Sequence, residues 1–122
     1  MEIETMVDRQ RTVTIGVSSL EETMSRAKSA FKGKYQGRRL SFISVDLMWK
    51  ILTPKRWEII RAMTGAGPLS IREVARRVKR DVKAVHSDIT ALIKAGIINK
   101  TDEGKVEFPY DRVHVDFEIK AA

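Results

Sequence analysis

Residues 53–96 contain three helix-start signals in succession, and that punctuation leaves few folds open. Thr53 followed by Pro54 reads as an N-cap with proline at the first helical position, where a missing N–H costs nothing. Ser70 with Glu73 has the S-x-x-E form of a capping box, and Asp81 can cap a third segment. Gly65, Ala66, Gly67 and Pro68 break the first helix, Lys79 and Arg80 end the second, and Gly96 sits where the third wants a left-handed residue. Each segment carries one apolar stripe: Trp57, Ile60 and Met63; then Ile71, Val74, Ala75 and Val78; then Val82, Val85, Ile89, Leu92 and Ile93. Three successive helices are therefore expected around one small core.

The flanks read as strands. IINK and KVEF, joined by Thr101, Asp102, Glu103 and Gly104, form a β-hairpin pattern in which Gly104 can take a positive φ. Beyond Pro109, Val113, Val115, Phe117 and Ile119 alternate with Arg112, His114, Asp116, Glu118 and Lys120 as in a strand. On the N-terminal side TVTIGV alternates Val13, Ile15 and Val17, and SLEE then has a capping-box form. Leu20, Met24, Ala27 and Phe31 share one face of the helix that should follow, and Gly33 stops it. LSFISV (residues 40–45) is a second strand, and Asp46 is expected to cap a short helix ending near Leu52.

A chain of 122 residues can bury one modest core. It has no apolar run long enough for a bilayer, and its start, MEIETMVDRQ, has no secretory apolar stretch, so a cytoplasmic location and no membrane partner are expected. The absence of cysteine excludes disulfides and thiolate metal sites. Residues 50–100 hold 12 Lys/Arg against 4 Asp/Glu, whereas residues 101–122 hold 3 against 6. The net charge of +7 is thus concentrated in the three-helix segment, which points to a polyanionic partner.

Helix, helix–corner–helix and hairpin is the order of a winged helix-turn-helix, whose third helix offers its outer face to the DNA major groove. At 100° per residue that face carries Lys83, Ala84, Ser87, Thr90, Ala91 and Lys94, small, polar or cationic residues that can approach base edges. Lys83, Ala84, Ser87, Thr90 and Lys94 are the expected base-reading set. Lys55 and Arg56 sit in a first helical turn, where an anion would offset the macrodipole cost. Together with Arg72, Arg76, Arg77, Lys79 and Arg80 they are expected to bind phosphate, as are Lys100 and Lys105 at the wing's base. Asp102 and Glu103 at the wing tip would be repelled by phosphate.

The expected fold is α+β: a winged helix-turn-helix with an N-terminal strand–helix–strand section and a C-terminal strand. Residues 1–11 are read as a flexible N-terminus, 12–52 as the strand–helix–strand section for dimerisation or partner binding, 53–110 as the DNA-binding domain and 111–122 as the C-terminal strand. The combination of LTPKRW, SIREVARR, DVKAVHSD and PYDRVHVDF, over about residues 12–120, resembles a family of small prokaryotic winged-helix regulators distantly similar to MarR-type proteins. Many of these are encoded beside TumE-type toxins and regarded as antitoxins. The resemblance implies sequence-selective binding to double-stranded DNA, a homodimer, autoregulation and a cognate toxin partner.

Other classes find less support. His86 beside Asp88, and His114 with Asp116 on one strand face, lack a nucleophile, a third ligand or a Gly-rich loop, so no catalytic residue, metal site or cofactor is expected. A winged helix used only for protein interaction would want an apolar outer face on the third helix. RNA binding would prefer exposed aromatics there, whereas Trp49 and Trp57 fall at helix-face positions expected to be core.

Overall fold

In the computed structural model the chain is described at residues 11–18, 21, 24–25, 38–119 and 121. The strands are β1 (Thr12–Val17), β2 (Arg38–Phe42), β3 (Asn99–Lys100), β4 (Val106–Glu107) and β5 (Arg112–Asp116), and the helices are α1 (Val45–Ile51), α2 (Pro54–Met63), α3 (Ile71–Val78) and α4 (Val82–Lys94). The protein is mixed α+β. The expected flexible N-terminus lies, apart from Arg11, outside the described residues, as do Leu20, Ala27, Phe31 and Gly33 of the expected first helix. Of that helix Glu21, Met24 and Ser25 are helical, and Met24 is exposed.

β1 is the centre of a three-stranded sheet ordered β2-β1-β5, and both of its neighbours run parallel to it. The register puts Val13 beside Val113 and Ile15 beside Val115 and Leu40, so one face of the sheet is apolar. That face joins the helices in a single core in which Val13, Ile15, Met48, Ile59, Met63, Val74, Val85, Ile89 and Leu92 have no exposure. The opposite face is polar. Arg39 there reaches over Gly16 to Asp116 at 3.7 Å, and its Nε donates to the Ser41 hydroxyl at 3.1 Å and to the buried Ser18 hydroxyl at 3.3 Å. The N-terminal section and the C-terminal strand, far apart in sequence, thus share one sheet.

Several expected boundaries move. Strand β2 starts at Arg38 and ends at Phe42, two and three residues ahead of the expected limits, because Ser44 caps α1 by accepting the Leu47 N–H at 3.1 Å. Asp46, expected as that cap, lies inside the first turn. Trp49 is 51% exposed and outside the core, because Met48 and Leu52, four residues apart, take the inward positions of α1. In α2, Ile59 is buried beside Ile60 and Met63 while Trp57 is half-buried; α3 and α4 both pack on α2, which widens its buried arc. Val82, placed on the apolar stripe, is 42% exposed, since it opens α4 and projects past the packed stretch. β5 ends at Asp116, short of the alternating run that continues to Ile119.

The hairpin is shorter than the pattern suggested. Ile97 and Ile98 are buried and donate to the Leu92 carbonyl, leaving only Asn99 and Lys100 to pair with Glu107 and Val106. Gly104 takes φ 80° at the turn as expected, and Gly96 takes the same value after α4. Leu69, just ahead of α3, exchanges both backbone hydrogen bonds with Val106 at 2.8 and 2.9 Å. This bridge ties the start of α3 to the hairpin.

At Gly16 the strands leave no room for a side chain: a methyl there would collide with the Asp116 backbone carbonyl and stand 2.8 Å from an Arg39 guanidinium nitrogen. Gly16→Ala is expected to cost about 2 kcal/mol of stability. Equilibrium urea unfolding checks it, and an unchanged midpoint would refute this account of the sheet.

Candidate nucleic-acid interface

Three caps formed by short polar side chains set the helices of the candidate interface. Thr53 Oγ1 accepts the Arg56 N–H, Ser70 Oγ accepts the Glu73 N–H, and one Asp81 carboxylate oxygen accepts the N–H groups of both Lys83 and Ala84. The Ser70 capping box is only half formed, because the Glu73 side chain turns away to the arginines of its own helix. Between α3 and α4 the chain reverses through Lys79, which adopts a left-handed conformation (φ 57°, ψ 48°). The Arg80 N–H closes the corner on the Ala75 carbonyl at 3.1 Å. Lys79 is the one non-glycine residue with positive φ among those described.

Asp88 holds the corner against α2. One carboxylate oxygen accepts the Arg56 Nε–H at 3.1 Å, and the other accepts an Arg80 Nη–H at 2.9 Å. Arg56 also donates to the Ile51 carbonyl at 2.9 Å, which links α1 to the same cluster. All three side chains are about four-fifths buried, and Nη1 of Arg80 has no partner. Burial pushes the Asp88 carboxyl up, but the Arg80 and Arg56 hydrogen bonds together outweigh it and hold the group below its usual range.

A second acid acts on α3. Glu73 accepts two hydrogen bonds from Arg76, at 2.9 and 2.6 Å, and one from Arg77 at 2.8 Å. The Arg76 and Arg77 hydrogen bonds lower its pKa from 4.5 to about 2, and Glu73 raises that of Arg76 in return. Two carboxylates therefore engage four of the nine expected phosphate ligands. Arg56 and Arg80 serve as struts, whereas Arg76 and Arg77 stay exposed on the surface. The other five, Lys55, Arg72, Lys79, Lys100 and Lys105, are exposed and make no ion pair among the described residues.

Of the expected base-reading residues, Lys83, Ala84, Ser87 and Lys94 are exposed along one side of α4. Thr90 is half-buried and its hydroxyl donates to the His86 carbonyl at 2.8 Å, which leaves its oxygen as an acceptor. Val82 and His86 are also exposed on this helix, although Val82 shares the spacing of the core stripe; His86 falls at the stripe's flank. The single carboxylate within α4, Asp88, points away from this side into its clamp with Arg56 and Arg80. No group of three or more His, Cys, Asp or Glu among the described residues could hold a metal ion. No described helix is long and apolar enough to cross a membrane.

Removing the Asp88 charge leaves two arginines facing each other in a mostly buried place. Asp88→Asn is expected to cost about 3 kcal/mol, measurable by chemical denaturation. Since the native pKa of Asp88 lies below 3.8, its stabilisation is complete above that pH and is lost as the pH falls through the lowered native value. The variant should accordingly show a shallower acid limb below pH 3.8.

Comparison with curated proteins gives no match. A family model, HVO_A0114, matches residues 51–115, from the end of α1 through the three-helix unit and hairpin into β5. That match covers more than half of the sequence, and the chain belongs to the HVO_A0114 family.

Proposed function

We propose that the protein is a winged helix-turn-helix regulator that binds double-stranded DNA with α4 in the major groove. The observation that carries this reading is the outer side of α4: Lys83, Ala84, Ser87 and Lys94 are exposed, and the one acid of the helix is withdrawn to Arg56 and Arg80. Small side chains permit close approach to base edges, Lys83 can donate to guanine acceptors, and Ser87 can donate or accept. Exposed Val82 adds an apolar contact suited to a thymine methyl. Lys55, Arg72, Lys79, Lys100 and Lys105 supply phosphate contacts that set register without reading sequence.

A protein-interaction module is favoured less, because Val82 is the one large apolar side chain exposed on α4, whereas Ile43, Trp49, Phe117 and Ile119 lie elsewhere in the chain. The resemblance to MarR-like regulators encoded beside TumE-type toxins extends the proposal to an autoregulating antitoxin. That extension rests on the sequence motifs alone.

Fluorescence anisotropy at several salt concentrations, on DNA from upstream of the protein's own gene and on scrambled DNA, tests the reading. Lys83→Ala and Ser87→Ala should lower the ratio of specific to non-specific affinity. Lys55→Ala should weaken both DNAs alike and reduce the slope of log K against log salt by about 0.9. Binding that is absent at low salt, or indifferent to salt, would overturn the proposal. A further expectation concerns Glu73, which keeps two arginines engaged: Glu73→Gln should tighten non-specific binding about threefold in the same assay, leaving the Ser70 cap intact.

A further inference from the structure

A groove of ≈ 520 Å³ separates α2 from β5. Small-molecule sites occupy roughly 300–1,000 Å³, so this one is of the right size for a metabolite. Its walls are apolar: Trp57 and Ile60 from α2, Val113 and Val115 from β5. Ile60 is buried, Trp57 and Val113 are half-buried and Val115 is exposed, so the indole and the two valines are the surfaces a ligand meets. The rim carries both signs of charge. Arg61, in the last turn of α2, makes no ion pair among the described residues. Asp111, just ahead of β5, accepts the Arg11 N–H with Oδ2 at 3.1 Å and makes no ion pair either. The Thr64 hydroxyl donates to the Ile60 carbonyl at 2.7 Å, so its oxygen is left as an acceptor.

We propose that this groove binds a free α-amino acid with a large apolar side chain, such as phenylalanine, leucine or methionine. A cation and a carboxylate share the rim of one apolar slot without pairing to each other, and that combination selects the ligand. A simple acid satisfies Arg61 but sets a second anion against Asp111, and a simple amine does the reverse. An uncharged apolar ligand takes water from both groups and returns no hydrogen bond. An α-amino acid carries both charges on one carbon. Its carboxylate pairs with Arg61, its ammonium donates to Asp111 Oδ1 and the Thr64 oxygen, and its side chain lies against Trp57, Val113 and Val115.

Size and connectivity agree with this choice. Carboxylate, α-carbon and ammonium, with a hydrogen bond at either end, span about 9 Å, which suits two charged groups that line one groove and do not touch. A peptide separates its terminal charges along the chain and satisfies one rim group without the other. Arg112 also borders the groove but already has a partner, and the proposal does not use it. The site is independent of the DNA reading, since none of its residues belongs to α3, α4 or the hairpin.

Isothermal titration calorimetry on the full 122-residue chain, without DNA, tests the site. L-Phenylalanine should bind, whereas 3-phenylpropionate, phenethylamine and glycine, which lack the ammonium, the carboxylate and the side chain, should each bind about tenfold more weakly or worse. Arg61→Ala should weaken phenylalanine about tenfold and leave phenethylamine unchanged, and Asp111→Asn should weaken phenylalanine without weakening 3-phenylpropionate. The asparagine keeps an oxygen for the Arg11 N–H, and circular dichroism checks the fold of both variants. Trp57 supplies a second readout, because in Trp49→Phe it is the one indole left in the chain, and its emission should shift as phenylalanine is added. No heat from phenylalanine, leucine or methionine up to about 10 mM overturns the site. So does phenylalanine binding that ignores both substitutions, or 3-phenylpropionate or phenethylamine binding as tightly as phenylalanine, which makes the groove a site for simple amphiphiles. Trp57 emission that moves with protein concentration and not with amino acid gives the groove to a second copy of the chain, and overturns it too. None of these outcomes bears on DNA binding by α4.

Discussion

The clamp of Asp88 between Arg56 and Arg80 fixes the relation of the helices on which the candidate interface is built. Arg56 belongs to α2, Arg80 to the corner and Asp88 to α4, and Arg56 further reaches the Ile51 carbonyl of α1. Apolar packing of Ile60, Val74, Val85 and Ile89 supplies the attraction between these elements, but it is non-directional. Hydrogen bonds to both carboxylate oxygens at 3.1 and 2.9 Å set how α4 is rotated about its axis. That rotation decides which residues face outward. With Asp88 held inside, Lys83, Ala84 and Ser87 must lie on the open side.

Charge is used in two ways in this chain. Glu73 and Asp88 each gather two arginines, one pair exposed on α3 and the other largely buried beneath α4. The buried set shapes the unit, whereas the exposed set moderates a surface that would otherwise repel itself. The other five expected phosphate ligands stay exposed and outside these pairs: Lys55 on α2, Arg72 on α3, Lys79 at the corner, and Lys100 and Lys105 at the hairpin. A net charge of +7 therefore overstates neither its extent nor its direction, but it hides this division.

Elements with strong local signals were legible from residue order. Thr53, Ser70 and Asp81 cap the helices they were expected to cap, and Gly96 and Gly104 take positive φ where turns require it. Signals that depend on neighbours misled. Ser44 displaced Asp46 as a cap, because its hydroxyl accepts the Leu47 N–H and starts α1 at Val45. Trp49 read as core from its helix-face position, yet Met48 and Leu52 took the inward places and left it against Phe117. In the candidate interface, residue order located the cations without separating Arg56 and Arg80, which act as struts, from Lys55 and Lys79, which face solvent.

The α+β class, the three-helix segment, the hairpin and the concentration of positive charge follow from the sequence by itself, because caps, breakers and apolar periodicity act over a few residues. Tertiary structure alone decided that β5 lies beside β1 in a parallel sheet, that Leu69 bridges to Val106, and that Asp88 faces inward. Each of these depends on which distant groups can satisfy a backbone edge or a buried charge. Arg56 and Asp88 are 32 residues apart, and no local pattern records that they meet.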